Sequence, residues 1–286
     1  MKVFTEVFIS VYVIALILGR YIKLPKGVSD AIILTVIFTI AFWGGSQIAG
    51  IELVDSILLS LLLALVITVV TYALGLFTVS RLNVTFATKV NWKVQAKYLI
   101  PLVLGFVVGL LLRVNIPFGN IIDYELYILA LVIGIDVGSA ISLKTLMKMS
   151  KVAIFAVIID VISAVLVALI ISPVINLKEG LMIMLGSGWY SYTGPFVARY
   201  YGPVAGIIGF LVNFLREQLA FVLVPIFLKF RPTPVGAIAV GGATSMDVTL
   251  PLYVEVLGNE YMIGAMVSGV ILTIAVPIIL PLVSII

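Results

Sequence analysis

GSGWYSYTGP at residues 186–195 and GGATSMDVTLP at 241–251 are the stretches on which the fold turns. Each lies inside a segment, about 180–201 and about 234–255, that is apolar overall but interrupted midway by glycine, proline and hydroxyl residues. Backbone that leaves the helix at membrane depth must find hydrogen-bond partners in protein or in a water-filled cavity, since lipid offers none. The two segments therefore read as re-entrant hairpins lining a site, with Gly186, Gly188, Gly194, Gly241 and Gly242 as the hairpin glycines.

Membrane depth is the right frame because of the rest of the chain. Of 286 residues, 63% are apolar and 10% charged, against roughly half and about a quarter in a soluble domain. Apolar runs long enough to cross a bilayer stand at about 3–19, 28–49, 54–80, 98–112, 122–142, 152–172, 203–228 and 261–284. The expected fold is an all-α polytopic membrane protein with eight transmembrane helices and two re-entrant hairpins, and a soluble catalytic domain is excluded. The N-terminal run has no cleavage pattern and reads as a permanent helix. Cysteine and histidine are absent, which removes disulfides, thiol catalysis, imidazole chemistry, and zinc or haem sites built on those residues. No cofactor and no metal are expected. The net charge of +4 reads as cytoplasmic loops against a lipid bilayer, with no nucleic-acid partner.

Loop charges fix the expected orientation. With the N-terminus outside and both broken segments returning to their side of entry, Arg20, Lys23, Lys26, Arg81, Lys89, Lys93, Lys97, Lys144, Lys148, Lys151, Lys229 and Arg231 lie inside, twelve of the 17 basic residues. Two full crossings in place of the hairpins fit the positive-inside bias less well. Both termini are expected outside, in a multi-pass plasma-membrane (inner-membrane) protein. Glu52 and Asp55 are expected in an outside loop.

The chain also matches itself. At an offset of 56, Gly186 meets Gly242, Thr193 meets Thr249, Pro195 meets Pro251, Gly202 meets Gly258 and Pro225 meets Pro281. A fainter offset near 90 aligns Gly19, Gly44, Ile51 and Leu53 with Gly109, Gly134, Ile141 and Leu143. A hairpin plus one span, or three spans, crosses the membrane an odd number of times, so each second copy must run upside down. Residues 1–175 then form a six-helix scaffold of two inverted three-helix repeats, and 176–286 a hairpin-helix-hairpin-helix transport core. The layout is similar to that of elevator-type secondary transporters, whose scaffolds build homo-oligomers.

Charges in hydrocarbon cost several kcal/mol unless paired or hydrated. Asn213, Arg216 and Glu217 fall mid-span in 203–228, on about one face of the helix. Arg216 suits a substrate carboxylate and Glu217 a cation or proton; alternatively they are an ion-pairing set that fastens the helix. Asp247, with Thr244 and Ser245, suits an ammonium, a sodium ion or a titrating proton, or it caps a short helix. Trp189, Tyr190 and Ser191 offer aromatic faces to an organic ammonium, or anchor the chain at an interface. Asp136 and Asp160 are proton relays or partners for Arg216.

GSGWYSYTGP, then NFLRE at 213–217, then GGATSMDVTLP, in this order and spacing, resemble the LysO family of lysine exporters, most firmly over about 180–286. The resemblance implies proton-driven export of L-lysine and close cationic analogues, with essential intramembrane acids. This chain departs from the family pattern at Ser187, where phenylalanine is usual between the two glycines, and at Tyr192 in place of leucine. The expected protein is no enzyme but a lysine/proton antiporter. Its substrate site holds Trp189, Tyr190, Ser191, Asn213, Arg216, Glu217, Thr244, Ser245 and Asp247, with Asp247, Glu217, Asp136 and Asp160 coupled to protons. Rival readings are a sodium-coupled importer of a small organic anion, and a channel or scaffold whose charges are structural.

Overall fold

A computed structural model of the chain describes residues 2–25, 27–47, 50–78, 92–114, 116–140 and 151–285. Among these residues all regular structure is helical. The first half runs α1 (Lys2–Leu18), α2 (Val28–Gln47), α3 (Gly50–Gly75), α4 (Trp92–Leu112), α5 (Phe118–Ala140) and α6 (Lys151–Ile171). The second half runs α7 (Leu177–Met184), α8 (Tyr190–Tyr201), α9 (Pro203–Phe230), α10 (Pro234–Gly241), a 3-10 turn (Gly242–Met246), α11 (Leu250–Leu257) and α12 (Met262–Ile285).

Five stretches are long and apolar enough to cross a membrane: Val28–Gln47, Leu53–Thr78, Lys151–Ile171, Pro203–Phe230 and Asn259–Ile285. Rows of large apolar side chains stay exposed along them, Leu58, Leu62, Leu65 and Val69 on α3 and Ile158, Ile162, Leu166 and Leu169 on α6. A water-soluble surface does not tolerate such rows, but lipid requires them. α1, of 17 residues, stands at the lower end of the ~17–25 that span a bilayer.

Several helices outrun their apolar cores. α4 starts at Trp92 and α5 at Phe118, because hydropathy marks the lipid-crossing stretch and passes over the polar turns at its ends. For the same reason Glu52 and Asp55 stand in the first turns of α3 rather than in a loop. Lys26, Arg81, Lys89, Lys144 and Lys148 of the orientation argument, and Ile141 and Leu143 of the fainter repeat, lie outside the described residues.

Glycines set the closest helix crossings. On α4, Gly105 and Gly109 lie against the backbone of α2 at Phe38, Phe42 and Gly45. On α5, Gly134 and Gly138 lie against α1 at Tyr12, Ala15 and Leu16, while Gly19 meets Gly138. These are small-xxx-small contacts, which let backbones approach where no water drives association. The two crossings are equivalent when the first three helices are exchanged with the next three: α1 on α5 becomes α4 on α2. The pattern continues in the second half, where α3 packs on α9 and α10, and α6 packs on α12 and α7.

Both broken segments share one order of elements: short helix, break, short helix, glycine, long helix. The glycine is Gly202 in one (φ +87°, ψ 175°) and Gly258 in the other (φ +100°, ψ 163°). That backbone region is essentially open only to glycine, and the two stand at the offset of 56.

Candidate functional site

Each break leaves helix-end groups that need partners. After α7 the chain turns through Gly186, where an added Cβ would lie 2.7 Å from Thr193 Cγ2 and 2.9 Å from Asn213 Nδ2. Asn213, reaching in from α9, accepts from Gly188 N at 2.8 Å and donates to Ile183 O and Gly209 O at 2.9 Å each. In the second break Thr244 Oγ1 donates to Gly241 O at 2.9 Å, and Ser245 Oγ donates to Gly242 O at 2.6 Å. Gly242 has φ +58°, and a side chain there would strike Ser187 O. The two breaks touch: Ala243 N donates to Ser187 O at 2.8 Å.

Beside this contact lies a cavity of about 200 Å³, smaller than the ~300–1,000 Å³ of sites for drug-sized ligands. The first break lines it with Gly188, Trp189, Tyr190 and Ser191, and the second with Ala243, Thr244, Met246, Asp247 and Val248. α5 contributes Asp136, α9 contributes Glu217, and α4 contributes Tyr98. Three carboxyl groups thus face one hollow, and its described lining has no cationic side chain. Asp247 is exposed, Asp136 partly so, and Glu217 is buried with Gln218 Nε2 donating to its Oε1 at 3.1 Å. Asp247 Oδ1 accepts from Val248 N at 2.6 Å.

The aromatic wall is held by ring contacts. Tyr190 meets Tyr98, Phe210 and Phe214 edge-on, with centroids 5.2–5.4 Å apart, the favoured T-shaped geometry. Trp189 lies 5.5 Å from Tyr192. The N-terminal end of α8 begins at Tyr190, so its positive dipole end stands at the cavity wall, with Tyr190 N and Tyr192 N donating to Gly188 O and Trp189 O.

Four of the anticipated substrate and proton residues stand behind the cavity rather than in its lining, Asn213, Arg216, Ser245 and Asp160, as do the hairpin glycines other than Gly188. Neighbouring positions on a helix diverge by about 100°, so Glu217 faces the hollow while Arg216 faces α6. There Arg216 Nη2 is paired with Asp160 Oδ1, both side chains at most 1% exposed. Arg216 Nε and Nη2 also donate to Val240 O and Ala239 O at 2.9 Å each. Asp160 Oδ2 accepts from Ser187 Oγ at 2.5 Å. Gly194 stands between α8 and α9, where a Cβ would press on Phe210 at 2.8 Å.

Two residues at the site are given no functional role by the sequence. Tyr98 opens an apolar run, and nothing local says that the end of α4 will cover the first break. Ser187 had one signal: a side chain kept between two glycines. Beside the lining residues Ser29 and Tyr98, Lys97 and Asp30 form a half-exposed ion pair at 2.5 Å.

Comparison with known proteins converges on this region. Residues 99–284 match the family described as lysine exporter LysO, a stretch that holds both breaks and all of Asp136, Asp160, Arg216, Glu217 and Asp247. The lysine exporter LysO of Escherichia coli strain K12 is 33% identical over 162 residues, which are 55% of this chain and 53% of that protein. A candidate lysine exporter of Haemophilus influenzae is 30% identical over 185 residues, 62% of this chain and 92% of that protein. The chain thus spans about half the length of the Escherichia coli relative and nearly all of the Haemophilus one. No solved structure matches it. With well over half of its length matched, both breaks included, the chain belongs to the lysine exporter LysO family.

Proposed function

We propose that the protein exports L-lysine and close cationic analogues across the inner membrane in exchange for protons. The observation that carries the reading is the convergence of Asp136, Glu217 and Asp247 on one small cavity that no described cationic side chain lines. Lysine brings two ammonium groups and one carboxylate. Asp247 and Glu217 receive the ammonium groups, and the faces of Trp189 and Tyr190 add cation–π attraction of about 0.5–2 kcal/mol. The carboxylate goes to the start of α8, where the positive helix end attracts it and Ser191 supplies a donor. Thr244 completes the wall opposite. Arg216 and Asp160 act one layer back, holding the breaks in place.

Export follows from competition at the acids. A carboxylate attracts an ammonium only while ionised, and a proton abolishes the attraction. Outside, protonation of Asp247 expels lysine; inside, loss of the proton readies the site for the next one, with Asp136 passing protons between cavity and surface. The topology that serves this cycle has eight spans and two re-entrant hairpins, with 1–175 as scaffold, 176–286 as transport core and both termini outside. The exchange-related glycine crossings and the paired glycines 202 and 258 support inverted repeats of this kind.

Asp247→Asn in lysine-loaded proteoliposomes is expected to abolish flux driven by an inward proton gradient. Wild-type flux in the variant contradicts the assignment. Replacing sodium by choline should leave the wild-type rate unchanged, and a rate that collapses points to sodium coupling instead.

A further inference from the structure

The transport cycle gives Asp160 and Arg216 a holding role and leaves their neighbour Ser187 unused. Ser187 sits at φ +51°, in the left-handed region that non-glycine residues enter at a cost. The chain has glycine on either side, at 186 and 188, yet keeps a side chain at this position. Its hydroxyl donates to Asp160 Oδ2 at 2.5 Å, with Leu185 O a longer alternative at 3.2 Å. Its carbonyl accepts from Ala243 N at 2.8 Å. One residue therefore ties the first break to α6 by its side chain and to the second break by its main chain. The other carboxylate oxygen of Asp160 takes Arg216, which in turn holds Ala239 O and Val240 O of α10. The cavity walls follow directly: Gly188 and Trp189 come next after Ser187, and Ala243 and Thr244 flank the contact on the other side.

We propose that Ser187 is a positioning residue for transport. Its hydroxyl orients Asp160 so that Arg216 and the breaks lock together, and that lock sets the separation of the two walls between which the substrate binds. In this chain the hydrogen bond to Asp160 offsets the backbone cost of a left-handed serine. The inference rests on the exporter reading for its flux consequence, and on geometry alone for its effect on the wall.

Ser187→Gly separates the two demands, since glycine accepts a left-handed φ freely while the hydroxymethyl group and its hydrogen bond are lost. Two readouts apply to monodisperse purified protein. In proteoliposomes, Ser187→Gly is expected to raise the lysine concentration for half-maximal flux about tenfold, a change of about 1.4 kcal/mol, with the melting temperature near that of wild type. In a background where Trp43 and Trp92 are replaced by phenylalanine, Trp189 reports the wall without any substrate. There Ser187→Gly should at least double the constant for acrylamide quenching and shift the emission to longer wavelength. Unchanged half-saturation together with unchanged Trp189 emission overturns the proposal. So does a flux loss that only follows a fall in folded protein, which marks the serine as merely structural. If wild type carries no lysine but Trp189 still responds, the exporter reading fails and the positioning of the wall stands.

Discussion

Arg216 and Glu217 are adjacent in sequence and face opposite duties. The guanidinium pairs with Asp160 and two main-chain carbonyls, whereas the carboxylate lines the cavity. A fully buried pair gains little over a well-packed apolar pair, but breaking it leaves one charge stranded. Asp160→Asn or Arg216→Gln alone is therefore expected to cost about 3–5 kcal/mol, while Asp160→Leu with Arg216→Met together costs less than either. Thermal unfolding of detergent-purified protein checks this; losses that simply add would mean the pair does not act as a unit. At this scale the sequence made the depth of the charges legible, since spacing put Asn213, Arg216 and Glu217 on about one face. It did not say which pointed to the hollow. The partners that decide it, Asp160 and Ser187, are 56 and 29 residues from Arg216, and no local pattern encodes a pairing at that range.

The elements turn on where helices stop. Both broken segments were legible, because glycine, proline and hydroxyl residues in an apolar run cannot be plain transmembrane helix. Helix ends were not: the hydropathy runs stop short of Trp92, Phe118 and Gly50, where α4, α5 and α3 begin. Gly202 and Gly258 make the break-to-span corner, each with a backbone conformation that other residues rarely adopt. Nothing lies within 4 Å of where their Cβ atoms would be, so a substitution there meets backbone strain alone. Gly202→Ala and Gly258→Ala should each destabilise by about 1–3 kcal/mol, read as a lowered melting temperature. The similar loss expected at both sites is the energetic counterpart of the offset of 56. A variant as stable as wild type would show that the corner relaxes freely.

For the whole molecule, packing assembles what the sequence held apart. α2, α4, α5, α9 and both breaks meet around one cavity, although its lining residues span from Ser29 to Thr273. The membrane class, the breaks and the family were legible because composition and local motifs carry them. The role of Tyr98 as a wall was not, since it depends on α2 and α4 crossing closely at Gly45, Gly105 and Gly109. The central claim is that three carboxylates around this hollow exist to hold a dibasic amino acid. Equilibrium binding of radiolabelled L-lysine to the purified protein, at about pH 8 and about pH 5, tests it most directly. The account predicts saturable binding that weakens about tenfold or more at the lower pH, is displaced by ornithine and arginine but not by glutamate, and is lost in Glu217→Gln. Binding that ignores pH and survives Glu217→Gln combined with Asp247→Asn, or that glutamate displaces as well as ornithine does, would contradict it.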